Sequence, residues 1–169
     1  MILKYLKMIA VALAVSTTLA SFAKSKDDDD DDYDNHDYLT FSLDSEDFPE
    51  SVDGRYVLAE YLPEGIEVEW SGKKFKTPKA GKPKVKKEDG EYYIDVSEKG
   101  ADNPCGLKLK YKAKTGKVTG SFKVYAYSEG KNGKPKIKSY SAKISGYLGD
   151  EDGLPVTIKK IGRFTASLE

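Results

Sequence analysis

Between Gly106 and Tyr127 apolar and polar residues alternate with a period of two. Leu107, Leu109, Tyr111 and Ala113 are interleaved with Lys108, Lys110, Lys112 and Lys114. After a short gap, Val118, Gly120, Phe122, Val124 and Ala126 are interleaved with Thr119, Ser121, Lys123 and Tyr125. Successive side chains of a strand point to opposite faces, so this pattern predicts two strands, each with one apolar and one polar face. Lys114-Thr115-Gly116 offers a short loop with a glycine free to take positive φ, so the two strands form a hairpin, placed here at the centre of a sheet. A sheet of this kind covers a core on one side and meets water on the other.

The same period recurs along the chain. Leu39, Phe41 and Leu43 alternate with Thr40 and Ser42, and after the punctuation SEDFPESVDG two further strands are predicted over Arg55–Leu62 and Ile66–Trp70, separated by Pro63-Glu64-Gly65. The stretch KKFKTPKAGKPKVKK is predicted as irregular surface chain, because Pro78, Gly81 and Pro83 interrupt it. Glu91–Val96 reads as a strand, Lys99–Pro104 as a loop, and Gly130-Lys131-Asn132-Gly133 as a tight turn followed by a long strand over Ile137–Tyr147. Asp152-Gly153 turns the chain again, and Val156–Ile161 and Phe164–Leu168 complete the set. With helical periodicity absent beyond the first residues, the expectation is an all-β domain over 38–169, a single antiparallel β-sandwich or β-barrel.

The N-terminal region follows a different logic. Lys4 and Lys7 precede the apolar stretch Met8–Leu19, and Ser21-Phe22-Ala23 offers small residues at a cleavage site, so residues 1–23 read as a signal peptide. The apolar run is shorter than the roughly 20 residues that span a bilayer, so no membrane association is expected after cleavage. The mature chain is then exported to the periplasm, cell surface or extracellular space. Residues 24–37, dominated by DDDDDDYDNHD, read as an acidic disordered linker, since like charges repel and nothing apolar is available to bury. Its carboxylates lack the spacing of a calcium loop, and His36 reads as a solvent-exposed linker residue. In the whole chain Lys+Arg number 28 and Asp+Glu 28, yet acids dominate Asp27–Glu69 and lysines dominate Lys73–Lys143. That segregation lets the lysine half attract an anionic partner.

The residue inventory argues against most chemistry. One cysteine and one histidine, far apart in sequence, assemble neither a transition-metal site nor a Ser/Cys-His triad in the ordinary way. The glycines are scattered one per turn rather than gathered in a phosphate loop. Glu67 and Glu69 share one face of a strand but have no polar companions, and read as a solvated face. The chain is therefore expected to be non-catalytic, with no cofactor and no metal: a structural or accessory module of the envelope or extracellular space. A small secreted hydrolase, built on a Ser-Lys dyad or a carboxylate pair, is the enzymatic alternative. The binding alternative places Lys108, Lys110, Lys112, Lys123 and Lys138 with Tyr125, Tyr127 and Tyr140 on one sheet face, suited to an anionic polysaccharide rather than to nucleic acid. Another envelope protein is the remaining candidate partner. Outward lysines also guard strand edges against unwanted pairing, which is a purely structural use of the same residues.

Lys76-Thr77-Pro78-Lys79-Ala80-Gly81-Lys82, Asn103-Pro104-Cys105-Gly106-Leu107-Lys108-Leu109, the run Ala113 to Tyr125, Tyr140 to Gly146 and Thr157-Ile158-Lys159-Lys160-Ile161-Gly162 together resemble an uncharacterised exported bacterial all-β module. That module stands at the ends of large secreted or surface proteins, and the similarity covers most of the chain from about Tyr56. The resemblance implies the fold and export but no reaction. Two positions depart from it: Cys105 stands where another small residue is usual, and Val118 where an aromatic is usual. Cys105 is then either a small buried residue at a strand entry or a thiol available for an intermolecular disulfide.

Overall fold

The computed structural model describes residues 37–44, 48–95 and 101–169. The spans read above as a signal peptide and an acidic linker lie outside the described residues, except that Asp37 opens the first strand. Among the described residues the strands are β1 (Asp37–Leu43), β2 (Ser51–Val52), β3 (Arg55–Val57), β4 (Ile66–Trp70), β5 (Phe75–Lys76), β6 (Lys84–Glu88), β7 (Glu91–Asp95), β8 (Lys108–Lys112), β9 (Lys117–Glu129), β10 (Pro135–Tyr147), β11 (Leu154–Ile158) and β12 (Gly162–Leu168). Two single-turn 3-10 segments, Ala59–Tyr61 and Lys131–Gly133, are the helical elements of this region. The all-β expectation holds.

Ten strands form one antiparallel sheet in the order β2-β3-β9-β10-β11-β12-β1-β4-β5, with β8 also paired to β9; β6 and β7 form a separate ribbon. The large sheet curls into a half-barrel. Its axis is the β9–β10 hairpin, whose arms of 13 residues stay in register from Lys117↔Tyr147 to Glu129↔Pro135. One edge of β9 is shared: β8 pairs with Lys117–Ser121, Cys105 accepts from Lys123 N–H, and β3 pairs with Ala126 and Tyr127.

The curl brings β8 near β4 and β5, where side chains rather than backbone bonds bridge the seam. Tyr111 meets Trp70 edge-on at 4.7 Å, and Phe75 lies 4.4 Å from Trp70. Register explains the meeting. Tyr111 pairs with Val118, Val118 with Gly146, Gly146 lies against Leu154, Leu154 pairs with Ala166 and Ala166 with Leu43. Trp70, however, pairs with Asp37, six residues away along β1. Such a stagger is what a curling sheet accumulates as its strands tilt towards closure.

The core lies inside the curl, filled by alternate residues of each strand. Phe41, Val68, Leu107, Val118, Phe122, Val124 and Val156 are at most 2% exposed, and Phe41 and Phe122 meet edge-on at 6.2 Å. Leu109 is buried and Tyr111 partly so, as the alternation predicts. At Gly120 a Cβ would stand 2.4 Å from the Lys108 carbonyl oxygen and 2.7 Å from Leu109 Cδ2, so β8 can approach β9 only because that position has no side chain. Gly116 has φ +68 in the turn between them, as the hairpin reading requires.

Departures from the predicted pattern are local. Arg55–Leu62 is extended only to Val57; beyond it the chain makes a 3-10 turn that buries Tyr61 against Tyr125 and lets its hydroxyl donate to the Asp95 carbonyl. Packing of one tyrosine overrides the local extended preference. The short strand β2 lies in the segment read as punctuation, and β5 and β6 lie in the lysine-rich stretch read as irregular. These three strands bury little, so they leave little alternation to see.

Candidate anion-binding face

The outward side of β8 to β12 is built by the residues that alternate with the core. Lys108, Lys110 and Lys112 project from β8; Lys117, Thr119, Ser121 and Lys123 from β9; Ser141, Lys143, Ser145 and Tyr147 from β10. Thr157 on β11 and Arg163 on β12 continue the surface. Antiparallel register fixes their neighbours. Lys108 is opposite Ser121, Ser121 opposite Lys143, Lys143 opposite Thr157 and Thr157 opposite Arg163. Beside that row, Lys110 is opposite Thr119 and Thr119 opposite Ser145, while Lys112, Lys117 and Tyr147 form a third row.

The acids belong to the borders of this surface: Glu129 at the end of β9, and Asp150, Glu151 and Asp152 in the β10–β11 turn. The ion pairs among the described residues join Lys76 to Glu69, Lys86 to Asp95, and Lys138 and Lys160 to Asp53. None of the outward cations of β8 to β12 takes part. Their charges are directed to solvent, while hydroxyls fill the positions between them.

Of the eight predicted binding residues, Lys108, Lys110, Lys112 and Lys123 lie exposed on this face. Tyr125 and Tyr127 share it but are half-buried, Tyr125 under Tyr61 at 5.7 Å and Tyr127 beside Tyr56 at 5.8 Å. Tyr140 is a correction: it is 4% exposed and points into the curl with Ala142 and Ile144. Lys138 is a second correction, since it is opposite Ala126 on the core side, 5.2 Å over the Tyr140 ring and 3.9 Å from the Asp53 carboxylate. Both share even-numbered parity with the buried residues of β10, a signal present in the sequence. The face also includes Lys117, Lys143, Arg163 and Tyr147, which lie outside the eight predicted residues. Lys143 was legible from its parity with Ser141 and Ser145, whereas Arg163 joins the row only through the β11–β12 register.

Two other polar groupings stand out among the described residues. Asp53, in a turn with φ 51, accepts from the Tyr140 hydroxyl at 3.2 Å and from Lys160 at 3.5 Å. Desolvation opposes ionisation there, but Tyr140, Lys160 and Lys138 together hold the carboxyl below its usual range. The grouping ties the β2–β3 turn to β10 and to the β11–β12 turn. Asn103, 1% exposed, donates to the carbonyls of Pro78 and Leu107 and accepts from Leu107 N–H at 2.7 Å. It fastens the segment after β5 to the entry of β8. Cys105 beside it is fully buried, and burial pushes its thiol up to about 12, so it fills space rather than offering a thiolate.

An open groove of about 580 Å³ lies where the β10–β11 turn meets β1 and β12, lined by Asp44, Asp150, Glu151, Asp152 and Glu169 among others. Asp150 accepts from the Asp152 N–H, so part of this acidity organises the turn itself. No group of three or more His, Cys, Asp or Glu among the described residues is placed to hold a metal ion. No family model, curated protein or solved structure matches this chain.

Proposed function

We propose that this chain is a non-catalytic, exported β module that attaches to an anionic polysaccharide of the envelope or extracellular space through the outward face of β8 to β12. The observation that carries the reading is the set of cations on that face that form no ion pair among the described residues. Lys108, Lys110, Lys112, Lys123, Lys143 and Arg163 all stand outward with hydroxyls between them, while other lysines of the same chain are engaged by Asp53, Glu69 or Asp95. Cations left without internal partners keep their attraction for an external polyanion. Serine and threonine between them supply donors and acceptors for sugar hydroxyls. The convex, exposed shape suits a long polymer better than a small substrate, which would need to be enclosed.

The test is retention of the mature protein on immobilised polygalacturonate or heparin, with salt elution. The protein should bind at low ionic strength and elute as the Debye length shortens to about 8 Å near physiological salt. Replacing Lys108, Lys110 and Lys143 by Gln should move elution to lower salt without changing the thermal midpoint. An unmodified protein that flows through both columns at low salt would remove this reading.

A further inference from the structure

The orientation of the polymer follows from the register, and this step rests on the anion-binding reading above. Along the row that crosses the strands, the side chains alternate in chemistry: Lys108 on β8, Ser121 on β9, Lys143 on β10, Thr157 on β11 and Arg163 on β12. Cation, hydroxyl, cation, hydroxyl, cation is continuous over five neighbouring strands. Of the flanking rows, that of Lys110 has one cation followed by two hydroxyls, and that of Lys123, Ser141 and Lys159 repeats the alternation over three strands only; further out, Lys112 and Lys117 stand side by side before Tyr147. Along a single strand the spacing is tighter and ends sooner, as Lys108, Lys110 and Lys112 are followed by the turn.

Neighbouring strands lie about 4.8 Å apart, so cations on every second strand are separated by roughly 10 Å at the backbone, and further at their tips on a convex face. We infer that the bound polymer runs across the strands along this row and carries one carboxylate per two-sugar repeat, each charge meeting Lys108, Lys143 or Arg163. The intervening uncharged sugar would then lie over Ser121 or Thr157, where hydroxyls bond without requiring charge. A polymer charged on every sugar would place a carboxylate over those hydroxyls and waste half of its charge.

Two triple variants of equal charge separate this arrangement from general attraction. K108Q/K143Q/R163Q empties the row, and K110Q/K112Q/K123Q empties its surroundings; all six positions are exposed, and a thermal melt verifies the fold of each. Binding is measured to hyaluronan, with one carboxylate per disaccharide, and to polygalacturonate, with one per sugar, at equal carboxylate concentration. The expected result is a hyaluronan affinity reduced about tenfold in the row variant and only about threefold in the other, whose lysines add general attraction without the repeat, with hyaluronan preferred by the unmodified protein. Equal losses in both variants, or a preference for polygalacturonate, overturn the crosswise arrangement while leaving anion binding standing. Failure of the unmodified protein to bind hyaluronan, polygalacturonate or heparin overturns both. Should either triple variant unfold, K143Q against K123Q on neighbouring strands provides the same contrast with one charge each.

Discussion

Two hairpins in this molecule use nearly the same amino acids to different ends. The β9–β10 hairpin and the β6–β7 ribbon are both rich in lysine and tyrosine, and both join adjacent strands by a turn containing glycine. In β9–β10 every second residue over most of each arm is buried, so the hairpin is the wall of the core. In β6–β7 no residue is buried; Val85 and Ile94 are opposite one another but only partly covered. The lysines differ in the same way. Lys86 of β6 pairs with Asp95 of β7, whereas Lys123 and Lys143 of β9 and β10 form no ion pair among the described residues. Burial on one face of a strand fixes its register firmly, and that register is what sets outward charges in a reproducible array. A ribbon without a buried face has to secure its charges pair by pair.

The largest expected effect breaks this comparison at the core. Phe122→Ala should cost about 3 to 5 kcal/mol, because the ring is 2% exposed and its removal leaves a cavity against Phe41. Ile94→Ala in the ribbon should cost about 1 kcal/mol or less, since little area is withdrawn from water there. Chemical denaturation of both variants decides the matter, and equal losses would mean that the ribbon belongs to the cooperative core after all. Gly120→Val falls between them, with about 1 to 3 kcal/mol expected from forcing a side chain against Lys108 O and Leu109. If Gly120→Val keeps the parent's denaturation midpoint, the close approach of β8 is not needed.

The comparison also explains what was legible in the sequence. Strands that bury one face and wet the other announce themselves, and β1, β4, β8, β9 and β10 fall where alternation places them. Strands that bury little, such as β5 and β6, carry no alternation, and the lysine-rich stretch that contains them reads as irregular chain. The lysines of β8 were legible as an outward array because Leu109 and Tyr111 lie between them. Tyr140 and Lys138 turn away from the predicted face, and their parity with Ala142 and Ile144 carries that direction in the sequence itself. The row from Lys108 to Arg163 could not be read at all. It exists only once five strands are aligned, and one residue of slip in any pairing would send its members to the other face.

Tyr61 links the two hairpins and gives the comparison a pH dependence. It is 5% exposed, stacks edge-on against Tyr125 of β9, and donates its hydroxyl to the Asp95 carbonyl of β7. Burial, reinforced by the Asp95 charge, raises its phenol from 10.0 to about 12. Below pH 10 the phenol is protonated in both folded and unfolded chains, so its full contribution is present. As pH rises from 10 towards 12 the unfolded chain ionises first, and stability falls through that window. Tyr61→Phe should flatten this alkaline loss without removing it, because burial also raises Tyr125. Urea midpoints measured at pH 9 and pH 11 provide the check; an unchanged slope would mean that Tyr61 is already ionised or solvated in the folded protein.

The smallest effect sharpens the contrast between paired and unpaired lysines. The acidic run Asp27 to Asp37 is joined directly to the sheet, since Asp37 is the first residue of β1. A tethered polyanion acts at a high effective concentration, so the run is expected to compete with an external polyanion for the outward cations of β8 to β12. Lysines such as Lys86, already engaged by Asp95, offer no such opening. Deleting residues 24–36 should therefore delay elution from heparin at low salt, with the difference shrinking as salt rises and the charges are screened. The same deletion in K108Q/K143Q/R163Q should have a smaller effect, because fewer free cations remain for the acidic run to occupy. A deletion that leaves low-salt retention unchanged in the otherwise unmodified protein would show that the acidic run and the basic face act independently.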